Sequence, residues 1–126
     1  MAKKAIVCDR APKAVGPYSH ANEANGFLFL SGMLGLDPAT GKLEDSLEAQ
    51  TERSLSNIKA VLSGSGLDLS DVVKTTVFLT DMKDFPAVNA IYARHFSSDF
   101  PSRSCIAVAG LPLDARVEIE SIAALR

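Results

Sequence analysis

Helical periodicity is confined to two stretches of this sequence, and that scarcity limits the possible folds more than any other feature. From Asp45 onward, Leu47, Leu55, Ile58, Val61 and Leu62 recur at helical spacing, while Glu48, Glu52, Arg53 and Lys59 lie mostly off that stripe. Asp45 and Glu48 have capping-box spacing, with Asp in the cap role, and Gly64 and Gly66 end the pattern. The second stretch, residues 85–96, has Pro86 in its first turn and Asp81 or Asp84 as its cap. Its apolar face is Val88, Ile91, Tyr92 and Phe96.

The remainder reads as strand and turn. Residues 5–8 form a short first strand. Residues 19–23 and 27–31 flank Asn25-Gly26, the strongest short-range hairpin signal. Pro12, Gly16 and Pro17 make residues 10–18 a loop, and Asp37-Pro38-Ala39-Thr40-Gly41 is a turn. Residues 72–79 are rich in β-branched side chains, and residues 102–109 and 116–124 supply the last two strands. The order is β-β-β-α-β-α-β-β. Two helices cover only one face of a sheet of about six strands. The other face must be solvated or covered by another copy of the chain, which suggests an oligomer.

Composition removes several classes of function. A chain of 126 residues, 47% apolar and 22% charged, has the make-up of one globular domain over residues 1–126. Thirteen basic residues against fifteen acidic ones give a net charge of −2, which argues against a strong grip on nucleic acid or anionic lipid. The most apolar run, residues 27–36, is interrupted by Ser31 and two glycines and falls far short of a membrane span. Lys3 and Lys4 precede only a few apolar residues before Asp9, too few for a signal-peptide core. Cys8 and Cys105, the only cysteines, therefore read as free thiols in a cytoplasmic protein. Two cysteines and two histidines at scattered positions match no zinc spacing, so no metal is expected.

Parity along the last two strands marks candidate chemistry. Ile106 and Val108 share one side of their strand, and Arg103, Cys105 and Ala107 share the other. Val117 and Ile119 alternate with Glu118 and Glu120. Antiparallel register between these two strands must turn the apolar sets toward the helices together, because a one-residue slip would bury charges. Arg103, Cys105, Glu118 and Glu120 are then expected on the helix-free face. On spacing alone, a surface arginine paired with a cross-strand glutamate is the better reading of Arg103. The functional reading has the planar guanidinium hold a substrate carboxylate by two parallel hydrogen bonds, with a glutamate orienting water. Cys105 reads as a small packed residue rather than a nucleophile, since no histidine is placed beside it. His95 reads as a surface residue near a helix C-terminus. Tyr18, in a loop, suits binding or packing equally, and His20 follows it closely enough to line a site.

Taken together, these residues resemble the reactive intermediate deaminase (RidA, or YjgF) family. The C-terminal signature is Pro101-Ser102-Arg103-Ser104-Cys105-Ile106, Ala109-Gly110-Leu111 and Val117-Glu118-Ile119-Glu120. Upstream blocks follow in order: Gly16-Pro17-Tyr18-Ser19, Ser31-Gly32, Asp37-Pro38-x-Thr40-Gly41, Asn57, Val72-Val73-Lys74-Thr75-Thr76-Val77 and Asp84-Phe85-x-x-Val88-Asn89. The resemblance implies a chorismate-mutase-like α+β domain, a mixed sheet of about six strands with two helices on one face. It also implies a homotrimer with three clefts between subunits. The implied activity is hydrolysis of 2-imino acids and their enamine tautomers, released by PLP-dependent dehydratases, to 2-keto acids and ammonia, without metal or cofactor. Such a 2-iminobutanoate/2-iminopropanoate deaminase would be a cofactor-independent hydrolase.

Carried over by position, Arg103 binds the substrate carboxylate and Glu118 holds the attacking water. Tyr18, Ser31, Gly32, Asn89 and Cys105 line the pocket, Cys105 through its backbone carbonyl. The chain departs from the family at Met33 and His20, where glutamine is usual, and that departure bears on substrate range because Arg103 and Glu118 are intact. Three other functions compete. Capture of keto or imino acids without turnover would make the protein a regulatory trimer, but family members of that type tend to lose the arginine. Ribonuclease or translation-inhibitor activity fits poorly with the acidic balance and the scattered histidines. No sequence feature points to a chaperone-like holdase.

Overall fold

In the computed structural model, which describes residues 2–96 and 98–126, the asparagine-glycine pair forms the tight turn that starts the sheet. Asn25 and Gly26 both take left-handed conformations, φ 51° and 81°, as a type I′ turn requires. They join β2 (Ala21–Ala24) to β3 (Phe27–Leu34), and β1 (Lys4–Ile6) adds antiparallel to the outer side of β2. The other elements are α1 (Leu47–Gly64), β4 (Val72–Leu79), α2 (Phe85–His95), β5 (Ser102–Ala107) and β6 (Val117–Ala124). The strands form one six-stranded sheet in the order β1-β2-β3-β6-β4-β5, antiparallel except for β4–β5. No helix among the described residues is long and apolar enough to cross a membrane.

Helix ends follow local capping chemistry, with one correction. Ser46, not Asp45, caps α1, and its side chain accepts a hydrogen bond from the Ala49 N–H. A short 3₁₀ turn over Met82–Asp84 precedes α2. Asp81 caps that turn through the Lys83 N–H, while Asp84 makes no capping bond.

Both helices lie on one side of the sheet. Leu55, Ile58, Val61 and Leu62 of α1 and Val88 of α2 are essentially buried against Leu28, Val77, Val117 and Ile119. The opposite side carries Phe29, Phe78, Glu118, Glu120 and Ile122, and Phe29 is 43% exposed there. A bulge reconciles β3 with this division. Leu30 pairs with Ser121 and Met33 with Ile119, so Ser31 and Gly32 together stand opposite Glu120. Without the extra residue, Leu30 and Met33 would face opposite sides of the sheet.

Beyond the bulge, α1 holds the chain by polar groups. Ser54 Oγ donates to the Met33 carbonyl at 2.6 Å, and Asn57 Nδ2 donates to the carbonyls of Leu34 and Leu36 at 3.1 and 2.9 Å. Gln50 donates to the Glu44 carbonyl and accepts from the Arg116 N–H. These three residues satisfy buried backbone groups where the strand ladder gives out.

The expected pairing of the last two strands is corrected. β5 does not pair with β6. It emerges from the α2 crossover parallel to β4, with Thr75 opposite Arg103 and Val77 opposite Cys105. β6 returns into the centre of the sheet between β3 and β4. Since Thr75 and Val77 face the helices, so do Arg103 and Cys105, and Ile106, 45% exposed, points to the uncovered side. On an edge strand an apolar residue does not have to face the core, and for that reason the parity deduction fails.

Candidate functional site

The bulge and the start of β6 frame one half of the site. A cavity of about 340 Å³ lies there, walled by Met33, Leu34 and Leu36 and bearing Tyr18, Ser31 and Glu118. Glu118 is half-buried on the uncovered side of β6. Burial first, and the neighbouring Glu120 charge second, push its carboxyl above the ordinary glutamate range. Gly32 makes room for it, because a β-carbon at that position would lie 2.8 Å from Glu118 Cδ.

Local hydrogen bonds shape the loop that closes this cavity. Ser31 Oγ donates to the Ser19 carbonyl at 2.7 Å, and Tyr18 Oη accepts from the Val15 N–H at 3.2 Å. His20 is buried. Its Nδ1 accepts from the Cys8 N–H at 2.8 Å, so Nε2 carries the proton donated to the Pro12 carbonyl at 2.7 Å. His20 thus ties residues 8–12 to β2 as a neutral donor–acceptor pair.

The other half lies across the sheet at its β5 edge. Arg103 Nη1 donates to Asn89 Oδ1 at 2.8 Å, and the guanidinium carbon sits 4.8 Å from the Tyr92 ring centroid and 5.5 Å from that of Phe85. No salt bridge reaches Arg103 among the described residues, so its nearest partners are a neutral amide and two π faces. Cys105 lies further along the same side of β5. Burial pushes its thiol up, and the Arg103 charge offsets this only in part, so the sulfur is no ready nucleophile. The Val108 N–H donates to the Leu79 carbonyl. Alternation along a parallel pair then leaves the amides of Arg103, Cys105 and Ala107 on the free edge, open to a ligand.

The structure therefore gathers Tyr18, Ser31, Gly32 and Glu118 on one side, and Asn89, Arg103 and Cys105 on the other. It does not bring Arg103 and Glu118 into one cleft of a single chain, because β4 separates their strands and they face opposite sides. His95 sits near the end of α2, but its Nε2 is engaged by Glu52 at 3.0 Å. Among the described residues, no group of three or more His, Cys, Asp or Glu side chains is placed to hold a metal. Sequence reasoning passes over Phe85 and reads Tyr92 as core. Their signal is the spacing of Phe85, Asn89 and Tyr92, which places all three on one face of α2.

Fold and geometry define a class: an α+β domain with an uncompensated arginine at one sheet edge and a half-buried carboxylate in a separate cavity. The chain belongs to the reactive intermediate deaminase (RidA/YjgF) family, whose family model, described as Endoribonuclease L-PSP, matches residues 8–125. It is 52% identical to the chloroplastic Reactive Intermediate Deaminase A of Arabidopsis thaliana, over 98% of this chain and 66% of that protein, just under two thirds of its length. It is 43% identical to the 2-iminobutanoate/2-iminopropanoate deaminase of Salmonella typhimurium, over 98% of each. Among solved structures it resembles E. coli TdcF with bound serine, with a TM-score of 0.92 and 38% identity over 98% of this chain and 99% of that one.

Proposed function

We propose that this protein hydrolyses short 2-imino acids and their enamine tautomers to 2-keto acids and ammonia, in the cytosol, at sites completed between the copies of a homotrimer. The observation that carries this reading is Arg103, a cation with no acidic partner among the described residues, oriented by Asn89 beside open strand amides. Such a group suits the carboxylate of a small acid. Glu118 supplies the complementary chemistry. In a trimer, the uncovered sheet faces would pack inward, and the Glu118 cavity of one copy would meet the Arg103 edge of the next.

The reaction asks little of these groups. Once the imine nitrogen is protonated its carbon is electrophilic, so water adds without a strong nucleophile. Glu118 as carboxylate takes a proton from that water, and as the resulting acid, its hold on the proton raised by burial, it returns the proton to nitrogen. The N-protonated carbinolamine breaks its C–N bond, ammonia leaves with the bonding pair, and the hydroxyl proton passes to the carboxylate as the carbonyl forms. No oxidant or reductant enters. An enamine first takes a proton at its terminal carbon to become the imine.

Generating 2-iminobutanoate in situ with a dehydratase and trapping what remains with semicarbazide tests this reading. Loss of trapped signal that disappears in Arg103→Ala supports it, and a full signal with wild-type protein overturns it. RNA cleavage, the activity named in the family description, finds less support. His20 is held by two backbone groups and His95 by Glu52, so both are committed elsewhere.

A further inference from the structure

We infer that Tyr92 and Phe85 are positioning residues, forming an aromatic platform on α2 that fixes the Arg103 guanidinium for a planar carboxylate; the inference rests on the role proposed for Arg103 above. Phe85, Asn89 and Tyr92 occupy one face of the helix; the guanidinium lies over the two rings and donates to Asn89. The ring distances, 4.8 and 5.5 Å, are within cation–π range.

The Tyr92 ring is itself fixed. Its hydroxyl and that of Thr75 are 2.7 Å apart in a buried hydrogen bond, and Thr75 stands directly opposite Arg103 in the β4–β5 ladder. Phe96 packs on the ring from the next turn, with centroids 4.5 Å apart. The anchor for the platform is thus the cross-strand neighbour of the residue it supports. Asn89 occupies one N–H of Nη1 and leaves the rest of the guanidinium edge for ligand. A flexible arginine would lose rotamer freedom on binding, whereas one held over two rings has lost much of it already. The platform also supports the cation without neutralising it, which an aspartate in the same place would do. Tyr92 is then more than a core aromatic: its ring packs on Phe96 and also supports the charge of Arg103.

The test uses 2-oxobutanoate, the product-like keto acid, titrated by NMR into wild type, Tyr92→Leu, Tyr92→Phe, Phe85→Leu, Arg103→Lys and the Tyr92→Leu/Arg103→Lys double variant, with imine turnover measured in parallel. Tyr92→Leu is expected to weaken 2-oxobutanoate by about tenfold and raise KM similarly, with kcat changed by less than about threefold. Tyr92→Phe keeps the ring face but loses the hydroxyl held by Thr75, so it is expected to weaken binding clearly less than Tyr92→Leu. In the Arg103→Lys background, which lacks the planar guanidinium, the Tyr92→Leu effect should shrink to less than about twofold. Phe85→Leu, at a less buried position, carries the same test should Tyr92→Leu fail to fold. Unchanged affinity in the leucine variants, or an equal loss in both backgrounds, overturns the platform. If 2-oxobutanoate binding depends on Arg103 but no imine is consumed, the deaminase reading fails and the platform stands. If affinity is indifferent to Arg103, the platform fails whatever the turnover.

Discussion

Gly32 and Glu118 occupy space that a single additional carbon would contest: a β-carbon on Gly32 would lie 2.8 Å from Glu118 Cδ and 2.9 Å from Oε2. The opposing atoms are the end of a flexible side chain. Gly32→Ala should therefore move the carboxyl rather than break the fold. If Glu118 acts as proposed, turnover is expected to fall roughly 10- to 100-fold, as misplacing a reacting group by about an ångström does. Thermal unfolding should shift by only a few degrees, and a large loss of Tm would show that Gly32 serves the fold instead.

Gly35→Ala makes the contrasting case. Its β-carbon would lie 2.5 Å from the Gln50 carbonyl oxygen and nearer still to the Gln50 α-carbon, both backbone atoms of α1 that cannot swing aside. A stability loss of about 1–3 kcal/mol is expected, read as a lower urea midpoint with an unchanged slope.

Asn57→Ala removes the donor that serves the carbonyls of Leu34 and Leu36. Both lie in buried chain, and α1 offers no substitute. The expected cost is again about 1–3 kcal/mol in urea unfolding. Asn57→Asp should be no milder, because a carboxylate cannot donate to those carbonyls.

Glu118→Gln separates the proposed catalytic role of Glu118 from its effect on stability. The folded carboxyl holds its proton more tightly than the unfolded one, whose ordinary value is near 4.5. The folded state therefore binds more protons above that pH, and the stability that Glu118 contributes when protonated is lost as pH rises through its folded value. Glutamine removes this dependence. The variant should melt higher than wild type at pH 8, and the gap should close by about pH 4. Its turnover should fall by roughly 10²–10⁴.

Cys105→Ser should retain turnover to within about threefold, because a thiol pushed up by burial is protonated at neutral pH and contributes no thiolate. Slow labelling of Cys105 by iodoacetamide at pH 7, rising only in alkali, would agree. Loss of activity in the serine variant would return the sulfur to the mechanism.

Much of the fold is legible in local pattern. The span of β4 is readable in its β-branched run, the Asn25-Gly26 turn in its dipeptide, and both helices in their apolar stripes. What fails is the step from parity to a shared face. Parity assigns Arg103 to a side only once its partner strand is known, and nothing local shows that β5 pairs with β4 rather than β6. The α1 cap fails by one residue because Asp45 and Ser46 are both competent caps in sequence. No local pattern assigns Ser54 and Asn57 their partners, since the carbonyls they serve lie about twenty residues away in sequence. Phe85 and Tyr92 are visible as aromatics, but their use depends on where Arg103 lies.

The strand order has a consequence for how the protein folds. β6 follows every other strand in sequence, yet it lies between β3 and β4. Until residues 117–124 take their place, the hairpin unit and the β4–α2–β5 unit have no ladder joining them, and each presents an unpaired inner edge. A chain folding without β6 in place therefore exposes two inner strand edges at once, each open to pairing with another chain.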